Sequence, residues 1–347
     1  MSCSAPTSSP ETTTSVGEDE GGAITTIAAI HFDVLQAHIF TRLDGPSLAS
    51  VSCVSSQLYD LSNEESLWRD ICHSAWPSTD NPRVCNIVSS FPDGSRSFFS
   101  DSFPLLVSQH DPPPSPNHTP PLLPPEIISA VDIHYRGTLL FSKVHETETL
   151  GSWFQCSPFR VDLVDPKDMV PTAIRLGDDV CQDLAENLKL SWIMIDPTGR
   201  RAANLSSWRP VSVQRHWLSK GIQAKFAMIL AGDPGGAREF VLCGIVVTFG
   251  GCEEAEMQVK EVSLQVADMD GTSLTGKESL VMLQRAMDGG KRKKGRKEES
   301  RERYEEYLRR KKERKESKLR IEARSDSMCM TFCIFIFAFP WMLFFFR

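Results

Sequence analysis

A chain of 347 residues with a formal net charge of −7 has room for one or two domains. Residues 291–324 hold 17 Lys and Arg against eight Asp and Glu, which leaves −16 for residues 1–290. An acidic body excludes nonspecific nucleic-acid binding as its task, and ten cysteines without one CxxC pair exclude a disulfide framework, so free thiols in a reducing compartment are expected.

Residues 1–28 are rich in Ser, Thr and Gly and nearly lack large apolar side chains. They cannot bury enough surface to offset ordering entropy, so disorder is expected there. Residues 29–76 change character. Leu35, Ile39 and Leu43 recur every four residues, Asp44-Gly45-Pro46 interrupts, Leu48, Val51, Val54, Leu58 and Leu61 recur at three and four, and Leu67-Trp68 closes the stretch. That spacing predicts two or three short amphipathic helices. A module of about 40 residues has too little core of its own and completes its packing elsewhere. Ala75-Trp76-Pro77 ends the last helix, because a residue before proline is pushed out of the α region.

Residues 77–107 carry Val84, Ile87, Val88, Phe91, Phe98 and Phe99 and read as a short helical extension. Residues 108–125 contain a run with eight prolines between Asp111 and Pro125, the composition of a stiff linker. Over residues 126–288 the period becomes two. Val131, Ile133 and Tyr135 alternate with polar residues, Gly137 starts a second run, and Leu188, Leu190, Trp192 and Met194 alternate again. Asp196-Pro197-Thr198-Gly199 and Asp233-Pro234-Gly235-Gly236 are turns by residue type. Phe240–Phe249 reads as a central strand, and the apolar register slips at Lys260-Glu261, which predicts a β-bulge or a break. An antiparallel sheet or sandwich of about six to nine strands follows, capped by a helix bearing Leu280, Leu283 and Met287.

Residues 289–327 read as a solvated basic helix, with Glu305-Arg309, Glu306-Arg310 and Glu316-Arg320 as i,i+4 pairs. Within it Lys291–Lys297 also has the composition of a nuclear-import patch. Residues 328–346 form 19 uncharged residues behind a basic flank. As a helix they would reach about 28 Å, near the bilayer core, so a transmembrane tail anchor with the body facing the cytosol is expected; a nuclear or cytoplasmic location is the alternative.

The stretch from His31 to Cys72 resembles an F-box, the adaptor-binding module of cullin-type ubiquitin ligases. The resemblance rests on Asp33 opening the first helix, the Leu35/Ile39/Leu43 stripe, Pro46-Ser47-Leu48, the run Val51-Ser52-Cys53-Val54-Ser55, and Leu67-Trp68-Arg69. His31-Phe32 stands where a Leu-Pro pair often begins the module. Gly94-Ser95-Arg96-Ser97-Phe98-Phe99, Leu190-Ser191-Trp192, Arg201–Ser207 and Arg209–Val213 look like a plant group of F-box proteins with a β-rich carboxyl-terminal part.

The resemblance implies a substrate-recognition subunit that docks a Skp-type adaptor, and through it cullin and RING subunits. Phe32, Leu35, Ile39, Leu43, Pro46, Leu48, Val51, Leu58, Leu67 and Trp68 are the implied adaptor-binding positions, shared between core and interface. The β-rich region would hold a target protein of unknown identity. A lectin-like sandwich, with Trp153, Trp192, Trp208 and Trp217 stacking on sugars, and a membrane scaffold without a ligase role are the alternatives. No phosphate loop and no Gly-x-Ser-x-Gly elbow occur, and none of the eight histidines stands at metal-ligand spacing from a cysteine or carboxylate in sequence. No catalytic residue, cofactor or metal is expected. The fold class expected is α+β multidomain: a small helical F-box, an antiparallel β-sheet or sandwich, a charged helix and a transmembrane helix.

Overall fold

The computed structural model describes residues 31–107, 123–165, 167–175, 177, 179–216, 221–251, 256–289, 291–293 and 297–345, with the backbone alone at Val107, Lys291, Lys293, Lys297 and 337–345. The disorder expected over residues 1–28, most of the proline-rich segment and Trp217 lie outside these residues. Packing divides the chain into two compact units, Met1–Ser62 and Asn63–Arg347.

The first unit begins with α1 (Phe32–Val34), a π-helical turn Leu35–Ile39 and a 3-10 turn Phe40–Arg42, followed by α2 (Gly45–Ser52) and α3 (Ser56–Ser62). The Asp44 carboxylate accepts the Ser47 N–H at 3.0 Å, and Pro46 lies in the first turn of α2, so the Asp-Gly-Pro break is a helix start. The Ser55 hydroxyl oxygen accepts the Leu58 N–H at 3.2 Å and opens α3 in the same way.

The four-residue stripe does not survive the π turn. There the Phe40 N–H bonds to the Leu35 carbonyl, so position i+5 stacks over i. Leu35 (3% exposed) and Phe40 (2%) are therefore the buried pair, and Ile39 turns outward at 39%.

The second unit starts with α4 (Glu65–Ala75), which ends before Pro77, a 3-10 turn Pro77–Asp80, α5 (Pro82–Val88) and α6 (Gly94–Ser102). Trp68, Trp76, Phe91, Phe98, Phe99 and Phe103 form a chain of ring contacts with centroids 4.9–6.0 Å apart, and Phe103 continues it onto Trp208 at 5.7 Å. The Glu65 carboxylate accepts the Ser95 N–H at 3.0 Å and its hydroxyl at 2.6 Å. A negative group thus sits on the amino-terminal end of α6, where helix N–H groups lack partners.

Then come β1 (Leu105–Val107), β2 (Glu126–Tyr135), β3 (Thr138–Glu148), α7 (Ser152–Cys156), β4 (Arg160–Asp162), β5 (Val170–Arg175), α8 (Val180–Asn187), β6 (Leu188–Asp196) and β7 (Arg201–Asn204). The series closes with β8 (Ser212–Arg215), β9 (Ile222–Ala231), β10 (Phe240–Gly250), β11 (Glu256–Ala267), α9 (Gly276–Gly289), β12 (Lys291–Lys293) and α10 (Lys297–Phe345). One sheet runs β3-β2-β6-β7. Another runs β4-β11-β10-β9-β8, with β5 also on β11, and β1 pairs with β12. All these pairings are antiparallel.

The two larger sheets share one apolar core, to which β2 gives Val131 and Ile133, β6 Trp192 and Met194, β9 Phe226 and β10 Ile245 and Val247. Leu280, Leu283 and Met287 of α9 close it. Arg136 and Gly137, both at positive φ, make the two-residue β2–β3 turn whose twist suits a hairpin. The slip at Lys260-Glu261 is a bulge: Thr248 pairs with Glu261 and Phe249 with Val259, which leaves Lys260 as the extra residue.

The carboxyl-terminal part differs from expectation. Lys291–Lys293 is a strand on β1, and Arg292 of the basic patch is held in a mostly buried pair with Asp101. α10 is docked over its first half. Tyr307 is buried and gives its hydroxyl to the Asp268 carbonyl at 3.2 Å, the Arg310 guanidinium lies 4.7 Å from the Phe240 ring centre, and Asp270 takes Arg314 at 3.1 Å and Lys318 at 2.6 Å.

The transmembrane helix and the membrane-anchored location are overturned. Among the described residues no helix is long and apolar enough to cross a membrane. The uncharged stretch is no separate element but the end of α10, whose preceding turns are crowded with Lys, Arg and Glu. The large apolar side chains described there, Met328, Met330, Phe332, Ile334, Phe335 and Ile336, are all exposed. The rest of the expected anchor, residues 337–346, lies outside the described side chains.

Candidate functional site

The ten implied adaptor-binding positions divide by burial. Leu35, Leu48 and Leu58 are buried in the first unit, and Leu67 and Trp68 in the second. Trp68 packs on Phe99 at 5.4 Å, with the Arg96 guanidinium 5.9 Å from its ring centre. Leu43, Pro46 and Val51 are half-buried. Phe32 (45% exposed) and Ile39 stand in solvent.

Val34, Val54 and Tyr59 are also exposed apolar groups of the first unit, and none of them is among the ten implied positions. Val54 had been counted in the apolar spacing, but it falls in the turn after α2, where helical periodicity no longer assigns a face. Apolar side chains held in water by short capped helices are what a partner surface requires.

The three described tryptophans of the β-rich region do not assemble as a sugar platform, and Trp217 lies outside the described residues. Trp192 is fully buried and donates its indole N–H to the Ser129 hydroxyl at 3.1 Å. Trp208 packs against the core, while Trp153 on α7 is 84% exposed.

The residues that carried the wider resemblance are fasteners. The Asn204 side-chain oxygen accepts the N–H of Trp192 at 3.2 Å and of Ser206 at 3.0 Å. The Ser206 hydroxyl oxygen accepts the Trp208 N–H at 3.1 Å, and the Ser207 hydroxyl donates to the Arg209 carbonyl at 2.6 Å. At Gly94, φ is +53° and a Cβ would overlap the Glu65 carboxylate, so the Gly94-Ser95 pair is set by the α4–α6 contact.

Electrostatics offer little for acid–base chemistry. Burial pushes the thiol of Cys72 up, with Glu65 adding to it, and burial alone pushes Cys243 up to about 12; both favour inert thiols over nucleophiles. Burial also raises Asp132, against hydrogen bonds from Ser78 and Ser142. One set of side chains does meet in space without sequence spacing to announce it: His73, Asp80 and Cys85.

A family model described as F-box-like matches residues 33–74. The Arabidopsis thaliana protein named Probable F-box protein At2g36090 is 47% identical over 317 residues, covering 89% of this chain and 90% of its own. F-box protein At3g44326 of the same plant is 46% identical over 90% of this chain and 88% of its own, and F-box protein At2g27310 is 41% identical over 91% and 95%. No solved structure matches.

Proposed function

Because this chain belongs to the F-box proteins of plants, we propose that it is the substrate-recognition subunit of a Skp–cullin–F-box ubiquitin ligase. The subunit performs no chemistry. It holds a target beside a ubiquitin-charged partner enzyme and so raises the effective concentration of the reacting groups. The supporting observation is the set of exposed apolar side chains on the first unit, Phe32, Val34, Ile39, Val54 and Tyr59, most of them inside the matched segment.

On this reading Phe32 and Ile39 supply the outer contacts to the Skp-type adaptor, with half-buried Leu43, Pro46 and Val51 beside them. Leu35, Leu48, Leu58, Leu67 and Trp68 act through the core. The target docks on the β-rich region, where exposed Trp153 and its neighbour Leu150 suit an interface anchor. The test is capture of a plant Skp-type adaptor by the full chain. A Phe32→Ala/Ile39→Ala variant with native circular dichroism should lose the adaptor; undiminished capture would remove the assigned surface.

A further inference from the structure

His73, Asp80 and Cys85 come from three consecutive elements: α4, the 3-10 turn Pro77–Asp80, and α5. One donor atom of each lies within 4.8 Å of the other two. His73 Nδ1 stands 3.5 Å from Asp80 Oδ1, and Cys85 Sγ stands 3.8 Å from His73 Nε2. The first distance is too long for a good hydrogen bond, which spans about 2.7–3.2 Å. The two distances run to opposite nitrogens of the ring, of which one ion takes only one. What brings the three groups to a common centre is that one donor atom of each lies within 4.8 Å of the others, a small closure away from the separations around one tetrahedral zinc ion. Metal bonds of roughly 2.0–2.3 Å place N and O about 3.4 Å apart, and N and S about 3.6 Å.

We propose that His73, Asp80 and Cys85 form a binding site for one zinc-class divalent cation, with the fourth position open to water. The donor set is mixed: an imidazole, a carboxylate and a thiolate. That mixture suits zinc over calcium or magnesium, which prefer oxygen alone. Thiolate and carboxylate together cancel the two positive charges. The ion takes a single imidazole nitrogen, and Asp80, whose side chain is 79% exposed at the end of its turn, swings to complete the set.

On binding, the Cys85 S–H bond breaks, the sulfur–metal bond forms and the proton passes to solvent. In the structure the Cys85 S–H donates to the Thr79 carbonyl oxygen, 3.1 Å from the sulfur. The bound cation ties the last helix of the F-box segment to the next helix of the same unit, a cross-link independent of the adaptor surface.

The full-length chain, freed of metal, is titrated with cobalt(II) as a spectroscopic stand-in and then with zinc(II). We expect one equivalent of cobalt at micromolar concentration, with a thiolate-to-cobalt charge-transfer band that zinc abolishes. Cys85→Ser should remove the band, and Cys181→Ser should keep it. Asp80→Asn, a change at an exposed position that leaves folding intact, should weaken binding at least as much as the roughly 10–100-fold typical of losing a supporting group. No stoichiometric binding by the parent chain, a band that survives in natively folded Cys85→Ser, or full affinity in Asp80→Asn would each overturn the site.

Discussion

Ser78 gives both of its donors to one carboxylate: its backbone N–H reaches Asp132 Oδ1 at 2.9 Å and its hydroxyl reaches Oδ2 at 2.5 Å. Ser142 adds a third bond to Oδ1 at 2.7 Å, and Asp132 is fully buried. The turn after α4 is thereby fixed to β2 and β3. Asp132→Ala leaves the two buried Ser78 donors unsatisfied and should cost about 3 kcal/mol in denaturant unfolding.

The same carboxyl makes a pH prediction. Burial raises its pKa in the folded state above the ordinary value of 3.8. The stability linked to its proton is therefore fully present below 3.8 and is lost as pH rises through the raised folded value. Asp132→Asn carries no such proton, so the stability lead of the parent chain over this variant should widen as pH falls through that window. A constant difference across unfolding curves from neutral to pH 4 would contradict the assignment.

Phe32 and Phe40 should separate binding from stability. Phe40→Ala empties a fully packed position and should destabilise the first unit by about 3–5 kcal/mol. Phe32→Ala should leave stability within about 0.5 kcal/mol and weaken adaptor binding by roughly tenfold or more, read by calorimetry.

Gly94→Ala meets two obstacles, a positive φ and the Glu65 carboxylate. About 1–3 kcal/mol of destabilisation is expected. Glu65→Ala in the same background should recover part of it by clearing the space, which a double-mutant cycle would measure.

Arg292→Met leaves the buried Asp101 carboxylate with the Ala202 N–H at 3.2 Å and the Arg201 guanidinium 3.7 Å away, and without its close charge partner. A loss of about 3 kcal/mol is expected, measurable as a lowered denaturation midpoint.

Where one residue's neighbours in sequence determine its face, the sequence was readable. The Arg136-Gly137 hairpin turn, the Asp196 turn that accepts the Thr198 and Gly199 N–H groups at 2.9 Å, and the extra residue Lys260 all follow from local pattern. The differences from expectation lie in partners far along the chain, in a local change of helical pitch, or in competing partners on one helix. Three cationic residues at 291–293 look solvated until Leu105–Val107 pairs with them. Glu305 was matched to Arg309, yet it pairs with Arg301, while Arg309 reaches Glu306 and Glu313. Leu35 and Ile39 were placed on one stripe because α-helical spacing was assumed where the backbone widens to i+5. His73, Asp80 and Cys85 have no sequence signature because three elements bring them together.

The pairing of β1 with β12 sets the terms on which this protein can be cut. Leu105–Val107 lies ahead of the proline-rich segment and Lys291–Lys293 lies far behind it, yet the two strands close a ladder inside one unit. Proteolytic nicking between residues 108 and 122 would break the chain without releasing its pieces. The two fragments would co-migrate under native conditions and part only when the unit melts.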